Sequence, residues 1–178
     1  MAEYDVMIQP PQPWHVPVRF EDVPETGLHF DLVADEHVRA GLATLAGVPD
    51  MPRLEAAIDV ARYGGGLRAT GRVSATVEQT CVVTLEPVEN RVDEAIDVIF
   101  VPSSTGDVAD QNAASEADEP PEVLSDGTAD LGAIAAEFLL LGIDPYPRKP
   151  GAVFAPPADE GAATTPFAAL ARLKDRKS

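Results

Sequence analysis

The stretch from Leu67 to Phe100, LRATGRVSATVEQTCVVTLEPVENRVDEAIDVIF, restricts the fold more than any other part of the chain. Leu67, Ala69, Val73, Ala75, Val77, Cys81, Val83 and Leu85 occupy odd positions, and Arg68, Thr70, Arg72, Ser74, Thr76, Glu78 and Thr80 occupy even ones. Successive side chains of a strand point to opposite faces, so a period of two puts the apolar set on a core and the polar set in water. Val92, Ile96, Val98 and Phe100 restart the alternation after Glu86-Pro87, with Arg91, Asp93 and Asp97 opposite. This predicts a long strand through Leu85, a bend near Glu86–Asn90 and a second strand pairing back antiparallel.

Upstream, Trp14, Val16, Val18 and Phe20 predict a first strand, demoted toward a sheet edge by Pro17, and Leu28, Phe30 and Leu32 predict a second. With the Pro24–Gly27 turn between them, they are expected to form an N-terminal hairpin around a core tryptophan. Asp35 is placed to cap a helix over Glu36–Ala46 that Gly47 and Pro49 stop. Leu54, Ala56, Ile58 and Val60 predict another strand, running into Gly64-Gly65-Gly66. Without a following helix, lysine and serine, those glycines read as a tight reversal and not as a phosphate cradle.

Beyond Pro102 the pattern stops. Residues 103 to 121 carry Asp107, Asp110, Glu116, Asp118 and Glu119 with no lysine or arginine, and predict a disordered acidic loop, either a linker or a lure for a basic partner. Asp130 then caps a helix with Leu131, Ile134, Ala135, Phe138 and Leu141 as its sheet-facing stripe and Gly142 as its end. Asp144 to Gly151, DPYPRKPG, is stiffened by proline. It reads either as a contact surface presenting Tyr146, Arg148 and Lys149 or as a strap lying back on the core. The expected organisation is a flexible arm over 1–13, one domain over 14–154 and a flexible tail over 155–178. A short terminal helix over Pro166–Lys177 would cluster Arg172, Lys174, Arg176 and Lys177. The fold class is α+β: a mainly antiparallel sheet of about five or six strands, open or partly closed, with two packed helices.

Composition narrows the function. The 178 residues include 30 acidic side chains against 13 Lys plus Arg, a formal net charge of −17, which disfavours binding to a phosphate backbone and suits a basic protein. The single cysteine, Cys81, rules out an internal disulfide and a thiolate-rich zinc site and points to a reducing cytoplasm. Its parity puts it on the buried face, where a thiol behaves as a small hydrophobe with a raised pKa. His15, His29 and His37 have no metal-pair spacing, and Asp93, Glu94 and Asp97 divide between faces of a strand. No enzyme, cofactor, metal, small-molecule substrate, signal peptide or membrane span is expected.

Gly71 to Val88, GRVSATVEQTCVVTLEPV, resembles the bacterial YceD family, whose recurring feature is a glycine-led amphipathic strand ending in Cys-x-Arg-Cys-Leu-x-Pro-Val. Gly71, Cys81, Leu85, Pro87 and Val88 match that pattern, while Val83 and Thr84 replace the arginine and second cysteine, so a two-cysteine metal or redox role cannot operate. The order of elements over residues 14 to 154 is similar too, and the Asp144–Gly151 ending looks like an α-proteobacterial version. The resemblance implies a non-enzymatic cytoplasmic factor for accumulation of large-subunit ribosomal RNA and ribosome assembly. The family gene commonly neighbours one for a small basic large-subunit protein, so ribosomal proteins or rRNA-processing factors are the implied partners. The hairpin and the 144–151 segment are the candidate contact surface. Two alternatives stand beside it. One is an RNA-binding module using Arg68, Arg72 and Arg91 with Arg148 and Lys149 as a local basic patch. The other is an acidic chaperone for a basic ribosomal protein.

Overall fold

The computed structural model describes residues 13 to 102 and 122 to 154, so the expected arm, acidic loop, tail and terminal helix lie outside the described residues. In chain order the elements are β1 (Pro17–Arg19), β2 (Leu28–Val33), α1 (Glu36–Ala46), β3 (Asp50–Tyr63), β4 (Gly66–Thr80), β5 (Pro87–Pro102), β6 (Glu122–Leu124), β7 (Thr128–Asp130) and α2 (Leu131–Gly142). Five strands form one sheet in the order β2-β3-β4-β5-β6, antiparallel except for the β5–β6 pair. The sheet stays open, with β2 and β6 at its edges; β1 and β7 make a separate two-stranded sheet. This is the α+β fold that the alternation predicts.

The parity of the central strands sets the layers. Leu54, Ile58 and Val60 of β3, Leu67, Val73 and Val77 of β4, and Val92, Ile96 and Phe100 of β5 are buried on one face. Leu42 and Ala43 of α1 and Leu131, Ile134, Ala135, Ala136 and Leu139 of α2 complete the same core. Fully burying each larger aliphatic contributes about 2 kcal/mol. Among the described residues the opposite face carries no helix and is mainly polar.

The caps behave as expected. The Asp35 carboxylate accepts the Val38 amide at 2.9 Å, and Gly47, at φ 67°, ends α1. Gly64 and Gly65, at φ 55° and 84°, make the two-residue reversal between β3 and β4. Gly71 has a different purpose. A Cβ there would fall on the Ala57 carbonyl and the Ile58 Cα of β3, so only glycine lets the two backbones approach.

Several expectations are corrected. Trp14 is buried as expected, but β1 and β2 are not a hairpin. β1 pairs with β7 (Val18 opposite Ala129), because Asp130 anchors the N-terminal segment by accepting the Val16 amide at 2.9 Å and meeting His15 Nδ1 at 2.6 Å. The same carboxylate caps α2 through the amides of Gly132 and Ala133, both at 3.1 Å. α2 does end at Gly142, though not by a left-handed glycine; a Cβ there would press on the side chains of Val92 and Glu94 of β5. α2 buries Leu139, and Leu141 is exposed instead of docking. The long hairpin also turns earlier than the alternation suggests. Its ladder ends at Thr80 opposite Pro87, and residues 81 to 86 form the bend, with the Cys81 amide donating to Glu86 and the Leu85 amide to Cys81, both at 2.9 Å. Leu85 takes the left-handed conformation at φ 59°, which the strand pattern cannot reveal.

Candidate interaction surface

Two surfaces carry the residues singled out by the sequence. The first is the uncovered face of the sheet. Even positions of β4 and odd positions of β5 bring Arg68, Arg72 and Arg91 there, and β3 adds Arg53, which sequence reasoning missed. A shallow hollow of about 510 Å³ is lined by Arg53, Arg72 and Arg91 together with Asp31, Glu55 and Asp93. The arginines are largely neutralised. Arg68 is held bidentately by Asp97 at 2.8 and 2.7 Å, Arg72 meets Asp93 at 2.6 Å, and Arg53 clasps Glu55 at 2.9 and 2.6 Å. These guanidinium bonds hold the carboxyls of Asp97 and Glu55 below the usual range. Pairing of this kind on an exposed face contributes little to stability but cancels the positive potential a phosphate would need.

The second surface is built at the far end of the β4–β5 hairpin. The chain leaving α2 crosses this end as a strap. Pro147 accepts the Val82 amide at 2.9 Å, Lys149 Nζ meets Glu86 at 2.9 Å, and the Lys149 amide points to Cys81 Sγ at 3.3 Å. Gln79, the buried polar residue of β4, donates its side-chain amide to the Asp144 carbonyl at 2.8 Å and accepts from Asn90 Nδ2 at 2.8 Å. A glutamine on the buried parity of an otherwise apolar strand is the signal that points to this joint, and sequence reasoning passed over it.

Cys81 is part of the same joint. It is buried, but the thiol is not raised as its parity suggested; it is lowered from 9.0 to about 6. The Lys149 amide is the main cause, followed by the Thr84 side chain and amide, and these donors outweigh the desolvation that pushes a thiol up. The sulfur is met from two sides, by the Lys149 amide of the strap at 3.3 Å and by the Thr84 amide of the bend at 3.4 Å.

The family-pattern residues now have physical roles. Gly71 admits β3, Cys81 accepts the strap, Leu85 occupies the left-handed step of the bend, and Pro87 opens β5 opposite Thr80. Val88 follows, paired with Gln79. The bend and the strap together present Val82 (44% exposed), Leu85 (76%) and Tyr146 (71%), with Leu141, Val153 and Phe154 exposed on the flanks of the strap.

The five basic residues do not gather into one patch. Arg148 and Lys149 sit on the strap at the hairpin end. Arg91 is opposite Thr76 and Arg68 opposite Ile99, so Arg68 lies twelve residues (80 minus 68) back from the ladder end at Thr80, roughly 40 Å along the strand. Among the described residues no group of three or more His, Cys, Asp or Glu is placed to hold a metal ion, and no helix is long and apolar enough to cross a membrane.

Residues 69–174 match the family model described as "Large ribosomal RNA subunit accumulation protein YceD". No curated protein sequence and no solved structure matches the chain.

Proposed function

Because the chain belongs to the YceD family of large ribosomal RNA subunit accumulation proteins, we propose that it is a non-enzymatic factor supporting accumulation of large-subunit ribosomal RNA and assembly of that subunit through protein–protein contacts. Its contact surface is the hairpin bend with the 144–151 strap. The observation that carries this reading is the joint itself: hydrogen bonds made by Gln79, Cys81, Val82 and Glu86 tie the proline-stiffened strap to the hairpin end, and Leu85, Tyr146 and Arg148 are exposed there. Exposed aromatic and aliphatic side chains held on a rigid frame are the usual anchors of a protein interface. The net charge of −17 favours a basic partner, a ribosomal protein or an rRNA-processing factor. Direct RNA contact is the weaker reading, since each of Arg53, Arg68 and Arg72 already faces a carboxylate. A lone buried cysteine fits the reducing cytoplasm in which this work would be done.

The test is affinity capture from the native lysate with and without ribonuclease, comparing the unaltered chain with a Leu85→Ser/Tyr146→Ser variant. A basic large-subunit protein or processing enzyme should be recovered after ribonuclease, and the variant should lose it. Recovery that vanishes with ribonuclease, and that Arg72→Gln/Arg91→Gln lowers while the bend-and-strap variant does not, would move the contact to RNA on the sheet face.

A further inference from the structure

We infer that the β2 edge of the sheet is a self-association surface, where a second copy of this chain adds its own β2 antiparallel to form one continuous sheet. Among the described residues β2 pairs only with β3, and its other side is open. A six-residue edge is long enough to template another strand, and β2 contains neither proline nor lysine, the residues that usually blunt an edge. The opposite edge, β6, has only three residues.

The ladder fixes which backbone groups are available. The Ala34 amide donates to the Leu54 carbonyl at 3.0 Å, so the even-numbered residues of this ladder turn their N–H and C=O groups toward β3. The backbone groups of His29, Asp31 and Val33 therefore point outward. A two-fold antiparallel pairing must match odd positions with odd positions, which leaves three central registers. Centred on His29 or on Asp31, it sets identical titratable side chains directly opposite each other. Centred on Phe30, it sets His29 opposite Asp31 of the second copy, twice, with Leu28 opposite Leu32. Opposite charges across a strand pair stabilise and like charges oppose, so the Phe30-centred register is selected by charge complementarity. Leu28, Phe30 and Leu32 already pack partly buried against the core, and this pairing sets each beside an apolar side chain of the copy.

Two variants and one crosslink test this. The Asp31 N–H points outward, so Asp31→Pro removes an association donor without removing a ladder bond to β3. Sedimentation of the full chain should give twice the mass of one chain at submillimolar concentration, and Asp31→Pro should give the single mass with an unchanged circular dichroism spectrum. Phe30→Cys places two cysteines in a non-hydrogen-bonded pair with Cα atoms about 4.5 Å apart, close enough for a disulfide. Oxidation should yield a covalent dimer that the unaltered chain, with Cys81 buried, does not form. A full chain that stays monomeric, a dimer that survives Asp31→Pro, or the absence of the crosslink would each overturn the inference. So would a dimer that appears only when residues 1–12 are deleted, which would assign the edge to that segment.

Discussion

The His29 imidazole stands between two carboxylates, with Nδ1 2.7 Å from Asp59 and Nε2 3.3 Å from Asp31, and the Asp59 bond foremost raises its pKa above the ordinary 6.5. A group raised on folding contributes stability that is fully present below its unfolded value and is lost as pH rises through the folded one. Cys81 works the other way. Its thiol falls from 9.0 to about 6 on folding, so its contribution is complete above the unfolded value and is lost as pH falls through about 6. The two partly offset each other near neutrality. His29→Gln should therefore make the urea midpoint climb more steeply between about pH 6 and pH 9, and Cys81→Ala should flatten that climb. Midpoint profiles of the three proteins that superimpose would show that neither bond network survives in solution.

Between elements the decisive contact is the crossing of β3 and β4 at Gly71. Alanine there must displace the Ala57 carbonyl and the Ile58 Cα, both backbone atoms in the middle of the sheet, so no side chain can swing aside. Gly71→Ala should cost about 3 kcal/mol, the upper range for overpacking a core, while Gly64→Ala in the exposed turn meets no neighbour and carries only the left-handed penalty of about 1 kcal/mol. Urea unfolding of both variants measures the difference, and equal costs would place β3 and β4 further apart than described. The long strands, both helices and their N-caps were legible because they rest on local periodicity and on single side chains, whereas β6 and β7, three residues each, are too short to show a period and were not read. Partner choice was not. β1 pairs with β7 through contacts made more than a hundred residues apart, and its own alternation says nothing about which strand it meets. The bend was misplaced for a similar reason: Cys81, Val83 and Leu85 keep the odd parity of the strand while the backbone has already turned. Of the candidate surface, Tyr146, Arg148 and Lys149 were visible from composition. The bonds from Lys149 to Cys81 and from Gln79 to Asp144 join the strap to the hairpin and had no sequence signal beyond the misplaced polarity of Gln79.

At the scale of the whole molecule, charge and shape act on different steps of partner binding. A net charge of −17 produces a field that reaches a basic protein before contact, and salt screens that field beyond about 10 Å at 0.1 M. In the proposed mode of binding the bend and strap act only after contact, through exposed apolar groups and one tyrosine that salt barely touches. Association of the chain with the proposed basic partner should therefore slow several-fold as salt rises from about 0.05 to 0.3 M with little change in dissociation. Leu85→Ser/Tyr146→Ser should do the reverse, leaving association near its original rate and speeding dissociation by tenfold or more, since loss of two buried anchors costs roughly 2 kcal/mol or above. Surface-plasmon kinetics on the captured partner separate the two rates. If the double variant instead slows association and leaves dissociation alone, the bend and strap lie outside the contact, and the charged sheet face is where the partner sits.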